Sequence, residues 1–166
     1  MTQPRPSTDY SRRSGSAAIG ARLRRLSERI DRDAARLYEE SGEVFEQRWY
    51  GVVQLLAQAD DLSVGELASA LGVSHASVSQ VRDGLAQAGL VTATADQRNA
   101  RLRRLRLTAR GRDVAARLAS LWAALNAAAE ELDAEAQDAL AAIDRLERAL
   151  ERRSLYDRVR ARPFWR

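Results

Sequence analysis

Cysteine and lysine are absent from this chain of 166 residues, and histidine occurs only once. Without cysteine the chain can form no disulfide, no zinc–thiolate site and no thiol redox switch. The initiator methionine is the only methionine, which also excludes methionine oxidation as a signal. The sequence has no phosphate-binding glycine loop and no paired acids outside amphipathic helical faces. It therefore predicts no enzyme, no catalytic residue, no metal site and no cofactor.

Long hydrophobic runs are also missing. No apolar stretch approaches the roughly 20 residues that a membrane-spanning helix needs, and none follows the N-terminal arginines as in a secretion signal. We therefore expect a cytoplasmic protein that does not enter a membrane. All 27 basic residues are arginine, and the formal net charge is +4. This charge favours a polyanionic partner, although arginine content also reflects coding bias, so the clustering of arginines is the better indicator.

Residues 62–90, LSVGELASALGVSHASVSQVRDGLAQAGL, predict two short helices separated by a glycine. Ser63 and Glu66 have the spacing of a capping box at the start of the first helix, and Gly72 is placed to end it. Ser74 is placed to cap the second helix. The apolar residues of the second helix recur at three and four residues, at Val78, Val81 and Leu85.

The spacing of small and apolar residues in this stretch is typical of a helix-turn-helix. Ala68, Gly72 and Val78 occupy the fifth, ninth and fifteenth places of a twenty-residue unit that begins at Val64. A helix-turn-helix needs a small residue there for close helix approach, a turn glycine, and an apolar residue that holds the second helix. Its second helix, the recognition helix, lies in the DNA major groove. The alternative is an ordinary αα-hairpin within a helical core.

The recognition helix carries side chains suited to reading DNA. Gln80 can pair bidentately with adenine, Ala76 can contact a thymine methyl, and His75 or Ser77 can bond a base edge. The remaining polar residues are better suited to phosphates, which also bind at helix N-termini. The sole histidine has no partner set for metal binding or catalysis, which leaves DNA contact or simple exposure. The predicted DNA-contacting residues of this helix are Ser74, His75, Ala76, Ser77, Ser79, Gln80 and Arg82.

A β-hairpin is predicted directly after the recognition helix. Residues 90–94 and 102–108 have strand character, and a polar loop joins them. Seven arginines and no acidic residue lie between Gln97 and Arg112. Like charges repel one another on a solvated hairpin, whereas a phosphate backbone neutralises them. The hairpin is therefore interpreted as a DNA-binding wing, and its predicted contact residues are Arg98, Arg101, Arg103, Arg104 and Arg106.

With the wing in place, residues 44–125 resemble the winged helix-turn-helix of the MarR family of bacterial transcription regulators. The resemblance depends on LSVGELASALGVSHASVSQVRDGLAQAGLV, the arginine-rich wing, and the sequence LRLTARG that leads into a long helix. It implies a homodimer on a palindromic operator, commonly a repressor that responds to a small ligand. The Asp-x-Arg element of the family's wing tip has two counterparts here, at 96–98 and, with Asn in place of Asp, at 99–101. Arg98 and Arg101 thus both remain candidates for the minor groove.

The flanking helices predict a dimer. Residues 17–42 have a narrow apolar stripe that begins at Ile19, and a second helix is expected from Glu43 to Gln58. A long helix from Thr108 to Leu132, about 37 Å at 1.5 Å per residue, is followed by a last helix capped by Asp133. We expect that last helix to bury Leu140, Ile143, Leu146 and Leu150. Stripes that a small domain cannot cover by itself usually mark interfaces, although the helices can also cover one another within a monomer.

The resemblance also suggests a binding site for a small aromatic effector, with Tyr38, Phe45, Trp49, Tyr50 and Trp122 as candidate lining residues. The alternative is that Phe45, Trp49 and Trp122 belong to the hydrophobic core. This alternative is favoured, because aromatic residues at helical spacing usually pack in the core.

The predicted fold class is mainly α, of the α+β winged-helix type, with N- and C-terminal helices forming a dimerisation bundle. The predicted partners are double-stranded DNA and a second copy of the chain. The rival function is a helical scaffold or partner-binding protein whose arginines only keep it in solution. The predicted regions are a disordered basic arm at 1–16, a dimerisation helix at 17–42, the winged helix-turn-helix at 43–108, dimerisation helices at 109–153 and a basic tail at 154–166.

Overall fold

The computed structural model describes residues 9–95 and 103–163. Within these ranges the chain is mostly helical and has one small three-stranded antiparallel sheet. The helices are α1 (Tyr10–Arg13), α2 (Ile19–Ser41), α3 (Tyr50–Gln58), α4 (Val64–Leu71), α5 (His75–Gln87), α6 (Ala109–Glu135), α7 (Ala139–Arg152) and α8 (Leu155–Arg160). The strands are β1 (Leu62–Ser63), β2 (Val91–Ala95) and β3 (Arg103–Leu107).

The chain divides into two compact units, Met1–Leu118 and Ala119–Arg166. The first unit contains α1 to α5 and the sheet, and the second contains α7 and α8. Helix α6 begins in the first unit and ends in the second. No helix in the described part of the chain is long and apolar enough to cross a membrane.

The N-terminal arm differs from its prediction where the structure describes it. Residues 9–16 were expected to be disordered, but α1 and a 3-10 helix at Gly15–Ala18 form there. The Asp9 carboxylate caps α1 by accepting a hydrogen bond from the Ser11 amide at 2.9 Å. The same carboxylate pairs with Arg25 of α2 at 2.8 Å. The local cap and the ion pair to α2 thus order a segment that has little to bury. Residues 1–8 of the predicted arm lie outside the described residues.

Helix α2 agrees with the apolar stripe seen in the sequence, and it ends at Gly42, which has a left-handed φ of 74°. The helix predicted from Glu43 to Gln58 is wrong in its first part. Glu46 is extended, a 3-10 helix follows at Gln47–Trp49, and α3 begins only at Tyr50. Tertiary packing explains the difference, because the Phe45 ring lies between Tyr38 and Trp49, with centroid distances of 5.0 and 5.6 Å.

The helix-turn-helix follows the predicted local signals. The Ser63 side chain accepts from the Glu66 amide at 3.2 Å, and the Glu66 carboxylate accepts from the Ser63 amide at 2.7 Å, so the capping box is confirmed. Gly72 closes α4 with a φ of 65°, a conformation that costs glycine little. The Ser74 side chain caps α5 by accepting from the Ser77 amide at 3.1 Å.

The sheet has the order β1-β3-β2. Strands β2 and β3 form the hairpin, with Val91 opposite Leu107 and Ala95 opposite Arg103. The short strand β1 pairs Leu62 with Leu105, which attaches the start of the helix-turn-helix to the returning strand of the hairpin. The core of this unit is formed by fully buried side chains from α3, α4, α5 and β3, namely Val52, Val53, Leu67, Val78, Leu85 and Leu105.

Helix α6 begins as predicted, because the Thr108 hydroxyl accepts from the Gly111 amide at 2.9 Å. Its end is different, since α6 continues to Glu135 and the N-cap position of α7 is Asp138. Asp133 still contributes to the start of α7, because its carboxylate accepts from the Leu140 amide at 2.7 Å.

The last helices are more exposed than expected. Leu140, Ile143 and Leu150 of α7 were expected to be buried, but they are exposed in the single chain, and Leu146 is half-buried. The tail contains helix α8, in which the Arg158 guanidinium donates to the Ala149 carbonyl at 2.6 Å. Residues 164–166 of the tail lie outside the described residues.

Candidate nucleic-acid interface

Helix α5 presents one polar face and one buried face. Val78 and Leu85 are fully buried and Val81 nearly so, and they hold the helix against the core. The cap at Ser74 fixes where the helix begins, and the Ser74 and Ser77 hydroxyls lie 2.8 Å apart. Five of the predicted contact residues are exposed, namely Ser74, His75, Ala76, Ser77 and Gln80.

Two predicted contact residues of α5 are less available. Ser79 and Arg82 are only partly exposed, because they are neighbours of the buried Val78 and Val81. The Arg82 guanidinium also donates to the Asp83 carboxylate at 2.9 Å. The exposed residues that remain, 74–77 and 80, lie at the cap and in the first two turns of the helix, which are the turns that enter the major groove in a helix-turn-helix.

The indole of Trp49 supports α5 from inside. A methyl group at Gly84 would lie 3.1 Å from the Trp49 Nε1 atom, so the helix backbone rests closely on the indole ring. That Nε1 atom is buried without a hydrogen-bond partner among the described residues. Sequence reasoning did not identify the role of Gly84, because a glycine inside a helix gives no sign of what it packs against.

The hairpin brings Arg104 next to Glu66 of α4, and the three wing arginines that the structure describes are not equivalent. Arg103 and Arg106 are exposed, whereas Arg104 is half-buried. Arg104 pairs with the Asp61 carboxylate and lies 3.3 Å from the Glu66 carboxylate. Two carboxylates thus lie beside the Arg104 guanidinium, and its contact with DNA phosphates stays a prediction. Arg98 and Arg101 lie outside the described residues.

Asp61 is the residue that the sequence interpretation of the wing missed. The stretch from Gln97 to Arg112 is free of acids in sequence, but β1 brings an aspartate to it in space. Arg104 and Arg106 both pair with Asp61, and the Arg104 hydrogen bond is the main reason that the Asp61 pKa lies below its ordinary value. Asp61 and Arg104 are 43 residues apart, so only the β1–β3 pairing predicts their contact.

Arg112 has a structural role as well. Its guanidinium donates to the Leu107 carbonyl at 2.9 Å, at the point where β3 ends. Of the described arginines in the predicted wing cluster, Arg104, Arg106 and Arg112 thus make internal contacts, and Arg103 and Arg110 are exposed.

The candidate effector residues lie in two places. Tyr38, Phe45 and Trp49 form one buried aromatic cluster in the first unit, which agrees with the core interpretation of Phe45 and Trp49. Tyr38 donates to the Gln47 side-chain oxygen at 2.7 Å. Tyr50 is half-buried, and Trp122, which belongs to the second unit, is buried. An open groove of 400 Å³ lies beside Tyr38 and Phe45, with Glu39 and Glu43 at its edge.

The sequence of this region is similar to a known protein family. The family model described as MarR family matches residues 45–102, which span α3, the helix-turn-helix and β2. We found no relative among curated protein sequences.

Solved structures agree over most of the chain. The Staphylococcus aureus MepR–DNA complex has a TM-score of 0.65 at 19% identity, over 77% of this chain and 94% of that chain. The repressor CouR, bound to a 23-mer DNA duplex, has a TM-score of 0.59 at 25% identity, over 77% of this chain and 90% of that chain. PcaV from Streptomyces coelicolor, in complex with its natural ligand, has a TM-score of 0.61 at 19% identity, over 88% of this chain and 97% of that chain.

The fold prediction is confirmed by these neighbours, which have the same winged-helix architecture. Residues 45–102 are therefore similar to the MarR family, and the chain has the winged-helix fold of these solved structures.

Proposed function

We propose that the protein is a homodimeric transcriptional repressor that binds a palindromic operator in double-stranded DNA. The observation that carries this proposal is the group of exposed residues, 74–77 and 80, at the start of α5, held by a buried opposite face and flanked by an arginine-bearing hairpin. Gln80, Ala76, His75 and Ser77 would meet base edges in the major groove. Two related structures, MepR and CouR, were solved with DNA, which supports the same use of this surface.

The phosphate contacts in this proposal come from the helix start and the wing. Ser74 and the N-terminus of α5 would contact a phosphate, because hydroxyls and helix N-termini are common phosphate-binding groups. Arg103 is exposed at the end of β3 that leads to the wing tip, and Arg98 or Arg101 would enter the minor groove.

The dimer part of the proposal is supported by apolar stripes that the single chain leaves open. Ile19, Leu23, Leu26 and Ile30 of α2 are each 40–56% exposed, and Leu140, Ile143 and Leu150 of α7 are each 40–61% exposed. Helical stripes of this kind usually pack against a partner. A two-fold axis would place two recognition helices about 34–36 Å apart, which is one turn of DNA.

A small aromatic ligand is included in the proposal as the signal that releases DNA. The open groove beside Tyr38 and Phe45 is the place we assign to it, and PcaV was solved with a natural ligand. Ala35 also lines this groove. A panel of small phenols and aryl amines, tested for a rise in Tm of the wild type and of Ala35→Trp, checks this part. The tryptophan would fill the groove, so a ligand of this site should stabilise only the wild type.

Footprinting on the DNA upstream of the protein's own gene tests the main proposal. We expect a protected site with two-fold symmetry and half-sites one helical turn apart. Fluorescence anisotropy on that site and on an unrelated duplex then separates base readout from phosphate binding. The rival function, a helical scaffold without DNA recognition, predicts no protected site and no steep dependence of affinity on salt.

A matched pair of arginine variants sharpens this test. Arg103→Ala removes an exposed wing charge, and Arg29→Ala removes an exposed charge from α2. Each neutralised phosphate contributes about 0.9 to the slope of log affinity against log salt. We expect Arg103→Ala to flatten the slope by about 0.9 and Arg29→Ala to leave it unchanged.

A further inference from the structure

Asp61 lies at the junction between the helix-turn-helix and the wing. It directly precedes β1, whose Leu62 and Ser63 pair with Leu105 and Arg104 of β3. The Arg104 guanidinium donates to the Asp61 carboxylate through Nε and to the Asp61 carbonyl at 3.1 Å. Arg106, two residues further along the same face of β3, reaches the other carboxylate oxygen at 3.4 Å. One aspartate therefore contacts two of the wing arginines.

Burial and charge distinguish the two arginines. The Arg104 side chain is 26% exposed, and the Asp61 side chain is 27% exposed, whereas that of Arg106 is 50% exposed. Arg104 also lies 3.3 Å from the Glu66 carboxylate, which is part of the capping box of α4. The four side chains carry two positive and two negative charges, so the cluster has no net charge to offer to DNA.

We propose that Asp61 is a specificity-determining residue that withholds Arg104 and Arg106 from DNA phosphates. This inference depends on the DNA-binding function proposed above. Affinity for DNA of any sequence rises with the number of phosphates that arginines neutralise, whereas base readout comes from α5. Asp61 keeps the sequence-independent affinity for phosphates small. It also fixes β3 to the start of α4, and this contact holds the wing in register with the recognition helix.

The neighbouring acid supplies a matched control. Asp60 is exposed, and it forms no ion pair with any other described residue. Asp60→Asn and Asp61→Asn change the net charge equally, one residue apart, so any difference between them reports the arginine contacts rather than the total charge. Binding of the full-length chain to the footprinted operator and to an unrelated duplex of equal length would be measured by anisotropy from low to moderate salt.

On the unrelated duplex, we expect Asp61→Asn to steepen the salt slope by about 0.9 to 1.8, which is one to two phosphates. The lower value applies if Glu66 and the Asp61 carbonyl retain Arg104 and only Arg106 is released. The ratio of operator affinity to unrelated-duplex affinity should fall relative to Asp60→Asn. Equal slopes and ratios for the two variants would overturn the inference and leave the proposed function intact.

A second comparison does not require Asp61 to be changed. Arg106→Gln should leave the wild-type salt slope unchanged, because its charge is already withheld, whereas Arg103→Gln should flatten the slope by about 0.9. In an Arg104→Gln, Arg106→Gln background, the effect of Asp61→Asn should disappear. Flattening by Arg106→Gln, or an undiminished effect in that background, would contradict the inference. If the wild type bound no duplex in any salt, the proposed function would fail first, and this inference with it.

Discussion

Gly111 of α6 lies against the carbonyl of Leu90, so closely that a methyl group on Gly111 would overlap the Leu90 oxygen. The contact joins the start of α6 to the loop between α5 and β2. Thr108 reinforces it, because its amide donates to the same Leu90 carbonyl at 3.0 Å and its hydroxyl donates to the Gly89 carbonyl at 2.8 Å. The sequence LTARG therefore encodes both a helix cap and a close backbone approach.

Replacing Gly111 with alanine should destabilise the protein by about 3 kcal/mol, because an added atom in a packed backbone contact forces the two segments apart. The free energy of unfolding in urea, measured by circular dichroism, checks this. Gly20→Ala is the control, because Gly20 lies in α2 with no atom near its missing methyl group. We expect that change to be neutral or to stabilise by up to about 1 kcal/mol, as helix propensity implies. Equal stabilities for the two variants would contradict the role given to Gly111.

Gln80 should read one base pair. Gln80→Ala removes an exposed amide from the middle of the recognition helix and should weaken binding to the operator by about 1 to 3 kcal/mol. The variant protein should also lose its preference for one base at a single base pair of each half-site. Gln87→Ala is the matched control, because Gln87 is also exposed on α5 but lies at its C-terminal end, away from the groove. Anisotropy against operators with each base pair changed gives the answer, and an equal loss on every sequence would exclude a reading role.

Local signals in the sequence predicted much of the local geometry of the candidate site. The caps at Ser63, Ser74 and Thr108 depend on side chains and amides three residues apart, so each can be predicted from the sequence without the tertiary structure. The buried face of α5 follows in the same way from helical spacing. The row of candidate base contacts was therefore predictable from the sequence as soon as the helix start was known.

Contacts between distant segments were not predictable. The Asp61–Arg104 pair needs the register of β1 against β3, and β1 is only two residues long. The start of α3 was misplaced for a similar reason, because packing of Phe45 against Tyr38 and Trp49 overrides helical spacing. The exposure of the apolar residues of α7 was not predictable either. A sequence pattern identifies an apolar helix face, but it does not identify the segment that covers that face.

The apolar stripe of α2 should hold the proposed dimer together. Leu26 is 56% exposed in the single chain, and burying a leucine contributes about 1.5 to 3 kcal/mol. About half of that remains to be gained at an interface, and a symmetric interface loses it twice, so Leu26→Glu should raise the dimer Kd by at least about 10-fold. Ala21→Glu introduces the same charge on the opposite face of α2 and should leave the Kd unchanged. Sedimentation velocity at several concentrations measures both, and a dimer that survives Leu26→Glu would place the interface elsewhere.

The acid sensitivity of the fold should depend in part on Glu43. Its carboxylate pairs with Arg117 of α6, and the hydrogen bond from Arg117 is the main reason that the Glu43 pKa lies below its ordinary value. A carboxyl whose pKa is lower in the folded than in the unfolded chain contributes stability above its unfolded pKa, and the contribution is lost as the pH falls through the folded pKa. The pair thus stabilises the protein at neutral pH and stops doing so in acid.

Glu43→Gln should therefore lower the free energy of unfolding at pH 7, and its difference from the wild type should shrink below about pH 4.3, the ordinary pKa of a glutamate. Because the Arg117 side chain is 56% exposed, the difference should be small and should decrease with added salt. Urea unfolding between acid and neutral pH measures it. Glu40→Gln, which removes an exposed carboxylate near the end of α2, provides the control and should show no such convergence. A Glu43→Gln deficit that persists unchanged in acid would mean that packing, rather than the ion pair, accounts for the effect.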